Sequence, residues 1–581
     1  MSKRTSTNKH YIYSVVLSIM LLLPNICNCF LAENLHGVSS RIVYCMVTVV
    51  LFLLPSFIFK ARTFFAVQSI LLFLAVIELS HLFLYGETTS ILYVNTFLLS
   101  EPRELQEMGV TLWPVILLYL LYIASYYVIL VKKIRQVYFF NKSWRIILSI
   151  CFTLFAAGLL VPSIVHHTSQ QRLLPIDHVR FDQTDLLLKQ KKVFPINIYI
   201  ALGDIISDNI FIKKEQEKLS DFSFHIPPKT DNDQEIYILI IGETARYGNF
   251  GINGYTRNTT PNLDTCSNLI SFDSIYSVAN LTAVSLPFML TRATPQMPNA
   301  RYNEKSVVEA FAEAGFFTAW IANQSFGNEF LRRIATSCDY THYEPPSTNN
   351  HSTYDMSLLS QAMPLLEDST QMKKMIVLHS EGCHFRYNNR YPETFAVFQP
   401  MLEPNFSMRL MDRAHRSLIL NTYDNAILYT DFFIYSTIEA LQSLNSVAAV
   451  FYISDHGENL FDDKRNMILH GTYAGSEYEY HVPMFVWTSD KYKEKYPQKV
   501  AAMQANKTKL QSANVVFHSL LDMADIQYLK LDSTLSIAQP ALVADSIIYG
   551  VDANLKLTVI HQHSHIKPTL PAQSINKRNK H

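Results

Sequence analysis

The apolar positions of this chain follow two different rules on either side of about residue 165. Before that point they form five runs, Tyr11–Ala32, Val43–Phe59, Phe64–Leu84, Leu112–Val131 and Ile146–Val165. A helix needs about 20 apolar residues to cross a bilayer, so each run predicts a membrane span. The second is short and Pro55 interrupts it. From Glu235 onward the apolar runs shorten and alternate with helical stretches. Strands are predicted over 236–243, 317–324, 373–382, 448–459 and 481–487, and helices over 305–316 and 417–444. That alternation predicts an α/β sheet with helices on both faces.

The expected organisation is therefore a five-helix transmembrane domain over residues 1–165, a linker over 166–234, an α/β catalytic domain over 235–560 and a tail over 561–581. The linker mixes apolar clusters with Lys, as in an interfacial helix on a membrane surface or a plain amphipathic connector. The tail contains alternate histidines at His561, His563 and His565, which by composition bind metal or stand in water.

Charge adds an orientation. The 49 basic and 49 acidic residues leave no net field to draw nucleic acid, so no nucleic-acid partner is expected. Basic residues gather in alternate loops: Lys3, Arg4 and Lys9 at the start, Lys60 and Arg62 after the second run, and Lys132, Lys133, Arg135, Lys142 and Arg145 after the fourth. Cytoplasmic loops are the basic ones, so the N-terminus faces in and everything after the fifth run faces out. A cleaved signal peptide is the rival reading of the first run. Four further spans and the absence of small residues before Asn28 argue against it.

Of seven cysteines, Cys27, Cys29, Cys45 and Cys151 lie in or beside the apolar runs, where a thiol packs as a small apolar group. Cys266, Cys338 and Cys383 lie in the exported part and allow one disulfide at most. In the third run Glu78 and His81 stand three residues apart, on one helical face. Ionisable residues inside a membrane are functional or paired with each other.

Polar residues appear where three predicted strands run out: Glu243, then His379 to His384, then Asp455 and His456. In open α/β sheets the carboxyl ends of strands carry the site. Carboxylates and imidazole converging from separate strands, with a hydroxyl nearby, suit a zinc ion that activates a nucleophile for phosphoryl or sulfuryl transfer.

The segments GETARYGNFGINGYTRNTTPNLD, NLTAVSLPFML, GCHFRYNNRYP, YDNAILYTD, SDHGENL and LHGT occur in the order, and with roughly the spacing, of the inner-membrane phosphoethanolamine transferases, and the chain resembles that family throughout. The resemblance implies five spans and a periplasmic domain of alkaline phosphatase/sulfatase-like fold, in the group that includes lipid A modifying enzymes of polymyxin resistance. It implies zinc ligands at Glu243, Thr282, Asp455 and His456, with Thr282 as the nucleophile that takes up phosphoethanolamine. It places His384 and His470 near the phosphoryl group. Glu104, in the loop motif SEPREL, would help hold lipid substrate, with Asn95 one residue out of the family spacing. Thr282 also reads as a helix cap.

The implied reaction takes phosphoethanolamine from phosphatidylethanolamine to lipid A or the lipopolysaccharide core. A periplasmic glucan or another glycan, with phosphoglycerol or phosphoethanolamine as the group moved, is the alternative. Lipid A members carry several disulfides that this chain lacks the cysteines to form, and Phe288 stands where a cysteine is common. A sulfatase would need Cys or Ser in a C/S-x-P-x-R setting, whereas Thr282 is followed by Ala, Val, Ser and Leu.

Overall fold

The structure is a computed structural model that describes residues 2–32, 35, 37–99, 102–150, 192–324, 329–343, 354–403, 412–464, 467–471, 475–551 and 557–562. It divides into two compact units, Met1–Lys214 and Glu215–His581.

In the first unit, α1 (Ser2–Leu21) and α2 (Leu23–Leu31) replace the first predicted run by a pair bent through 54°. Pro24 opens α2, where proline costs no intrahelical bond but ends the preceding helix. Helix α3 (Val38–Leu53) tightens into a 3₁₀ turn at Pro55. Next come α4 (Ala61–Gln68), α5 (Ile70–Tyr85), α6 (Ile91–Leu99) and α7 (Pro102–Lys133). Among the described residues, Val38–Phe57, Ala61–Phe83 and Trp113–Lys133 are long and apolar enough to cross a membrane, and the bent pair is a fourth if it counts as one span. Of the fifth predicted run, residues 151–165 lie outside the described residues. Large apolar side chains such as Met46, Leu118 and Leu121 are exposed, as a hydrocarbon surrounding would allow.

A polar seam runs inside this unit. Asn25 and Asn28 of α2 reach Thr48 and Tyr44 of α3, both at 3.1 Å. Glu78 is fully buried and accepts from Asn28 and from Asn197 of α8 (Ile196–Glu217), the latter at 2.7 Å. His81 instead meets the Glu87 carbonyl oxygen at 3.0 Å and the Tyr93 ring at 4.5 Å between centroids. Helix α8 falls in the stretch expected as a linker and leaves Tyr199, Ile206 and Ile210 exposed.

The second unit is built on a seven-stranded sheet. In chain order its strands are β1 (Glu235–Gly242), β2 (Leu269–Phe272), β3 (Phe317–Ala322), β4 (Tyr340–Tyr343), β5 (Lys373–His379), β6 (Val447–Ser454) and β7 (Met484–Thr488), arranged β2-β7-β6-β1-β5-β3-β4. Strand β1 sits at the centre, parallel to β5 and β6, while at one side β7 pairs antiparallel with both β6 and β2.

All eight residues of β1 are buried, which is why its sequence is a continuous apolar run rather than an alternating one. Tyr237, Leu239 and Ile241 pack on one side with α9 (Thr282–Leu290), α10 (Val307–Glu313) and α13 (Val515–Met523). Ile236, Ile238 and Ile240 pack on the other with α11 (Met356–Glu367) and α12 (Arg416–Gln442). The predicted helices over 305–316 and 417–444 are α10 and α12, and a capping box of Ser306 and Glu309 fixes the start of α10.

Candidate metal centre

Parallel pairing sets the site. Gly242 of β1 lies opposite Ser454 of β6, and Ile241 opposite His379 of β5. The pairing extends past the strand ends: the Asp455 amide donates to the Gly242 carbonyl at 3.0 Å, and the Cys383 amide to the Glu243 carbonyl at 2.9 Å. Glu243 and Asp455 are thus brought side by side by register alone. Close packing of backbone is required here, because a Cβ on Gly382 would stand 2.7 Å from the Glu243 carbonyl oxygen.

Ligand-bearing atoms of Glu243, Asp455 and His456 all lie within 4.8 Å of one another, and all three side chains are buried. His456 Nδ1 is 2.8 Å from the Gly457 carbonyl oxygen, which leaves Nε2 toward the cluster, 3.4 Å from both Glu243 Oε1 and Asp455 Oδ2. Asp455 Oδ1 accepts the Thr244 and His456 amides at 3.1 and 2.7 Å. Its Oδ2 takes no hydrogen bond of ordinary geometry.

Thr282 opens α9, but Leu281 is the capping residue and no side chain caps the helix. The threonine hydroxyl points elsewhere, to Glu243 Oε2 at 3.0 Å, Glu243 Oε1 at 3.2 Å and His456 Nε2 at 3.3 Å. The capping role that the sequence allowed is not the one it takes. Ser285, three residues on, is fully buried and donates to the Asp455 carbonyl oxygen at 2.6 Å, so it braces the loop from behind.

The electrostatics of the cluster suit a cation. Burial, and next the Glu243 carboxylate, hold Asp455 well above the usual carboxylate range. Burial also works upward on Glu243, but His456, His384 and His470 and the Thr244 hydroxyl outweigh it and bring it to about 2. Two carboxylates out of water, one ionised and one driven to hold a proton, are relieved by a divalent ion between them. Two carboxylates, an imidazole nitrogen and a hydroxyl also match the oxygen and nitrogen donors that such an ion takes.

His470 stands at the rim, its ring 4.2 Å from that of His456 and 6.2 Å from that of His384. His470 Nδ1 pairs with Glu458 at 3.1 Å, and Glu458 also accepts from Tyr387 at 3.1 Å. Burial pushes Glu458 up to about 8. His384 Nδ1 meets the Phe385 carbonyl oxygen at 2.8 Å. His379 is buried edge-on against Trp320, within the sheet layer and not with the histidines at the rim. Asn95 and Glu104 fall in α6 and α7, and their side chains lie outside the described residues.

Two residues that the sequence reading did not single out belong to the site. Gln324 donates to Glu243 Oε2 at 3.1 Å from the end of β3, and Glu458 anchors His470. Glu458 lies two residues past His456 in SDHGEN, a position that could have been noticed. Nothing local marks Gln324. The three cysteines of this unit are free thiols: Cys383 is buried beside Thr430, Cys266 lies near the Ser267 carbonyl and Cys338 near that of Ile334.

Residues 235–526 match the family model described as Sulfatase. The chain is 32% identical over 312 residues to the Kdo(2)-lipid A phosphoethanolamine 7''-transferase of Salmonella typhimurium, covering 51% of this chain and 52% of that protein. It therefore spans about half the length of that curated relative. It is 27% identical over 520 residues to phosphoethanolamine transferase EptC of Escherichia coli, covering 84% of this chain and 85% of the relative. The crystal structure of the C-terminal periplasmic domain of that EptC in complex with Zn superposes with a TM-score of 0.52 at 25% identity, over 58% of this chain and 95% of that one.

The integral membrane protein lipooligosaccharide phosphoethanolamine transferase A of Neisseria meningitidis superposes with a TM-score of 0.61 at 19% identity, over 89% of this chain and 97% of its own. That likeness shows the fold: apolar helices followed by an α/β domain of alkaline phosphatase type, as the sequence predicts. With its model matched over just over half of the 581 residues, the sulfatase family is the one to which this chain belongs.

Proposed function

We propose that this chain transfers phosphoethanolamine from phosphatidylethanolamine to an envelope glycolipid, lipid A or the lipopolysaccharide core, through a covalent intermediate on Thr282. The observation that carries the reading is the approach of Thr282 Oγ1 to Glu243 at 3.0 Å and His456 at 3.3 Å, inside a buried cluster of acids. The names of the Salmonella and E. coli relatives supply the group that is moved.

In this reading Glu243, Thr282, Asp455 and His456 hold zinc, which when bound lowers the pKa of the threonine hydroxyl so that it attacks at neutral pH. Glu243 orients the hydroxyl by accepting its hydrogen bond. Thr282 Oγ1 attacks the phosphorus, the bond from phosphorus to the diacylglycerol oxygen breaks, and phosphoethanolamine stays on the threonine. The start of α9 turns the positive end of its dipole toward the phosphoryl oxygens. His384 or His470 gives a proton to the departing oxygen, and Glu458 fixes the ring of His470 while it does so. A phosphate or hydroxyl of the acceptor then attacks the same phosphorus, the bond from phosphorus to Thr282 Oγ1 breaks, and the histidine left neutral by the first step takes up the proton of an attacking hydroxyl. The apolar helices lie in the inner membrane and the catalytic domain in the periplasm, the compartment that both lipids face. Asn95 and Glu104 contribute to holding the lipid donor.

Mass spectrometry of lipid A, core oligosaccharide and periplasmic glucans from cells with and without the gene tests the acceptor. A gain of one phosphoethanolamine on lipid A or core is expected. The same gain on glucan alone would replace the acceptor, and no gain on any envelope component would overturn the reading.

A further inference from the structure

We propose that Cys29 and Cys45 form a disulfide that fastens α2 to α3 at the outer face of the membrane. Their sulfur atoms lie 3.1 Å apart, about 1 Å longer than a disulfide bond. Neighbouring residues set this approach. Asn28, one position before Cys29, donates to the hydroxyl of Tyr44, one position before Cys45, at 3.1 Å. Asn25 bonds Thr48 at 3.1 Å one turn deeper, and Arg41 reaches back from α3 to the carbonyl oxygens of Cys29 and Ala32, the latter at 3.2 Å. The two helices are thus held in a register that faces one thiol with the other.

Cys45 is exposed and Cys29 partly so. Among the described residues the remaining cysteines of the second unit lie against oxygen atoms rather than sulfur. Cys29 also packs against the apolar cluster that includes Ala32 and Tyr44, as its place in an apolar run leads one to expect.

Loop charges place the turn between α2 and α3 on the outer side, the one feature this inference takes from the proposed function. The chemistry there is thiol exchange. One thiolate attacks the disulfide of an oxidoreductase of the oxidising compartment, and the second thiol resolves the mixed disulfide. Two electrons and two protons leave the cysteine pair, and the oxidoreductase departs as a dithiol. The bond closes the α2–α3 hairpin beside Asn28 and so steadies the donor that Asn28 presents to buried Glu78.

The test uses the full-length protein in its membranes, quenched with acid, with thiols counted by a mass-tagged maleimide before and after reduction. Wild type should gain two tags on reduction, and the peptide carrying Cys29 should be recovered joined to that carrying Cys45. Cys29→Ser and Cys45→Ser should gain none. Both thiols tagged without reduction, or two tags gained by Cys29→Ser, would overturn the bond. A membrane-impermeant maleimide then separates the causes. Free thiols labelled from outside mean that the orientation holds and the bond fails, whereas thiols labelled only after the inner membrane is opened mean that the orientation itself is wrong.

Discussion

Replacing Ser285 by Ala separates bracing from chemistry at the start of α9. Ser285 and Thr282 are one turn apart, and both carry a hydroxyl that could serve as nucleophile. The Ser285 hydroxyl, however, is fully buried, donates to the Asp455 carbonyl oxygen at 2.6 Å and lies 3.0 Å from the hydroxyl of Ser277. Ser277 also donates to that same carbonyl oxygen. Removal of the Ser285 hydroxyl therefore leaves the acceptor with one partner, and the cost is that of a lost hydrogen bond, about 1 kcal/mol, rather than the roughly 3 kcal/mol of an orphaned buried group. At an unfolding entropy of about 2.1 cal/mol/K per residue, a domain spanning residues 235–560 then loses about 1–2 °C of melting temperature. Thermal unfolding of the purified protein, beside diacylglycerol release from fluorescent phosphatidylethanolamine, reads both quantities. Activity should stay within a few-fold of wild type. Loss of release with an unchanged melting temperature would refute the bracing role and make Ser285 part of the reaction.

Two further perturbations probe the site and the frame around it. A Cβ on Gly457 would lie 2.1 Å from the Tyr478 carbonyl oxygen, in a loop already bonded to Glu479, so Gly457→Ala should cost about 3 kcal/mol and weaken metal retention at the adjoining His456. A variant as stable as wild type in thermal unfolding would contradict that packing. If Asp455 is a zinc ligand as proposed, Asp455→Asn should abolish bound zinc in metal analysis of the purified protein, and a full zinc content would move the site elsewhere.

Asp431 supplies a pH dependence. Burial pushes it up to about 6, against opposing hydrogen bonds from Leu263 and Asn262, from an ordinary value of 3.8. The folded state thus holds its proton more tightly than the unfolded chain. The resulting stability is full below pH 4 and is lost as pH rises through 6, at most about 3 kcal/mol. Comparison of melting curves for wild type and Asp431→Asn should show a difference that changes over this range, and a constant difference would count against it.

The sequence was most informative where local chemistry and chain order coincide. An apolar run that ends in a carboxylate locates β1 and Glu243, and SDHGEN does the same for β6, Asp455 and His456, because a strand buried on both faces has to be apolar throughout. Strands β2 and β4 escaped notice: Leu269–Phe272 and Tyr340–Tyr343 are four residues each, too short to show a period. The partners of Glu78 were equally invisible, since Asn28 and Asn197 lie 50 and 119 positions away and only the packing of helices brings them together. Gln324 reaches Glu243 by the same long-range route, through the pairing of β3 with β5. The bend at Pro24 was legible in principle, but a run of apolar residues reads as one span whether or not it is straight.

The proposed chemistry rests on the hydroxyl of Thr282. Brief incubation of the purified full-length protein with phosphatidylethanolamine, acid quenching and mapping of the peptide that spans α9 by mass spectrometry test it most directly. Phosphoethanolamine should be found on Thr282 in wild type, with no adduct in a Thr282→Ala variant that keeps its fold and zinc. An adduct on Ser285, or diacylglycerol release at the wild-type rate by Thr282→Ala, would contradict the assignment.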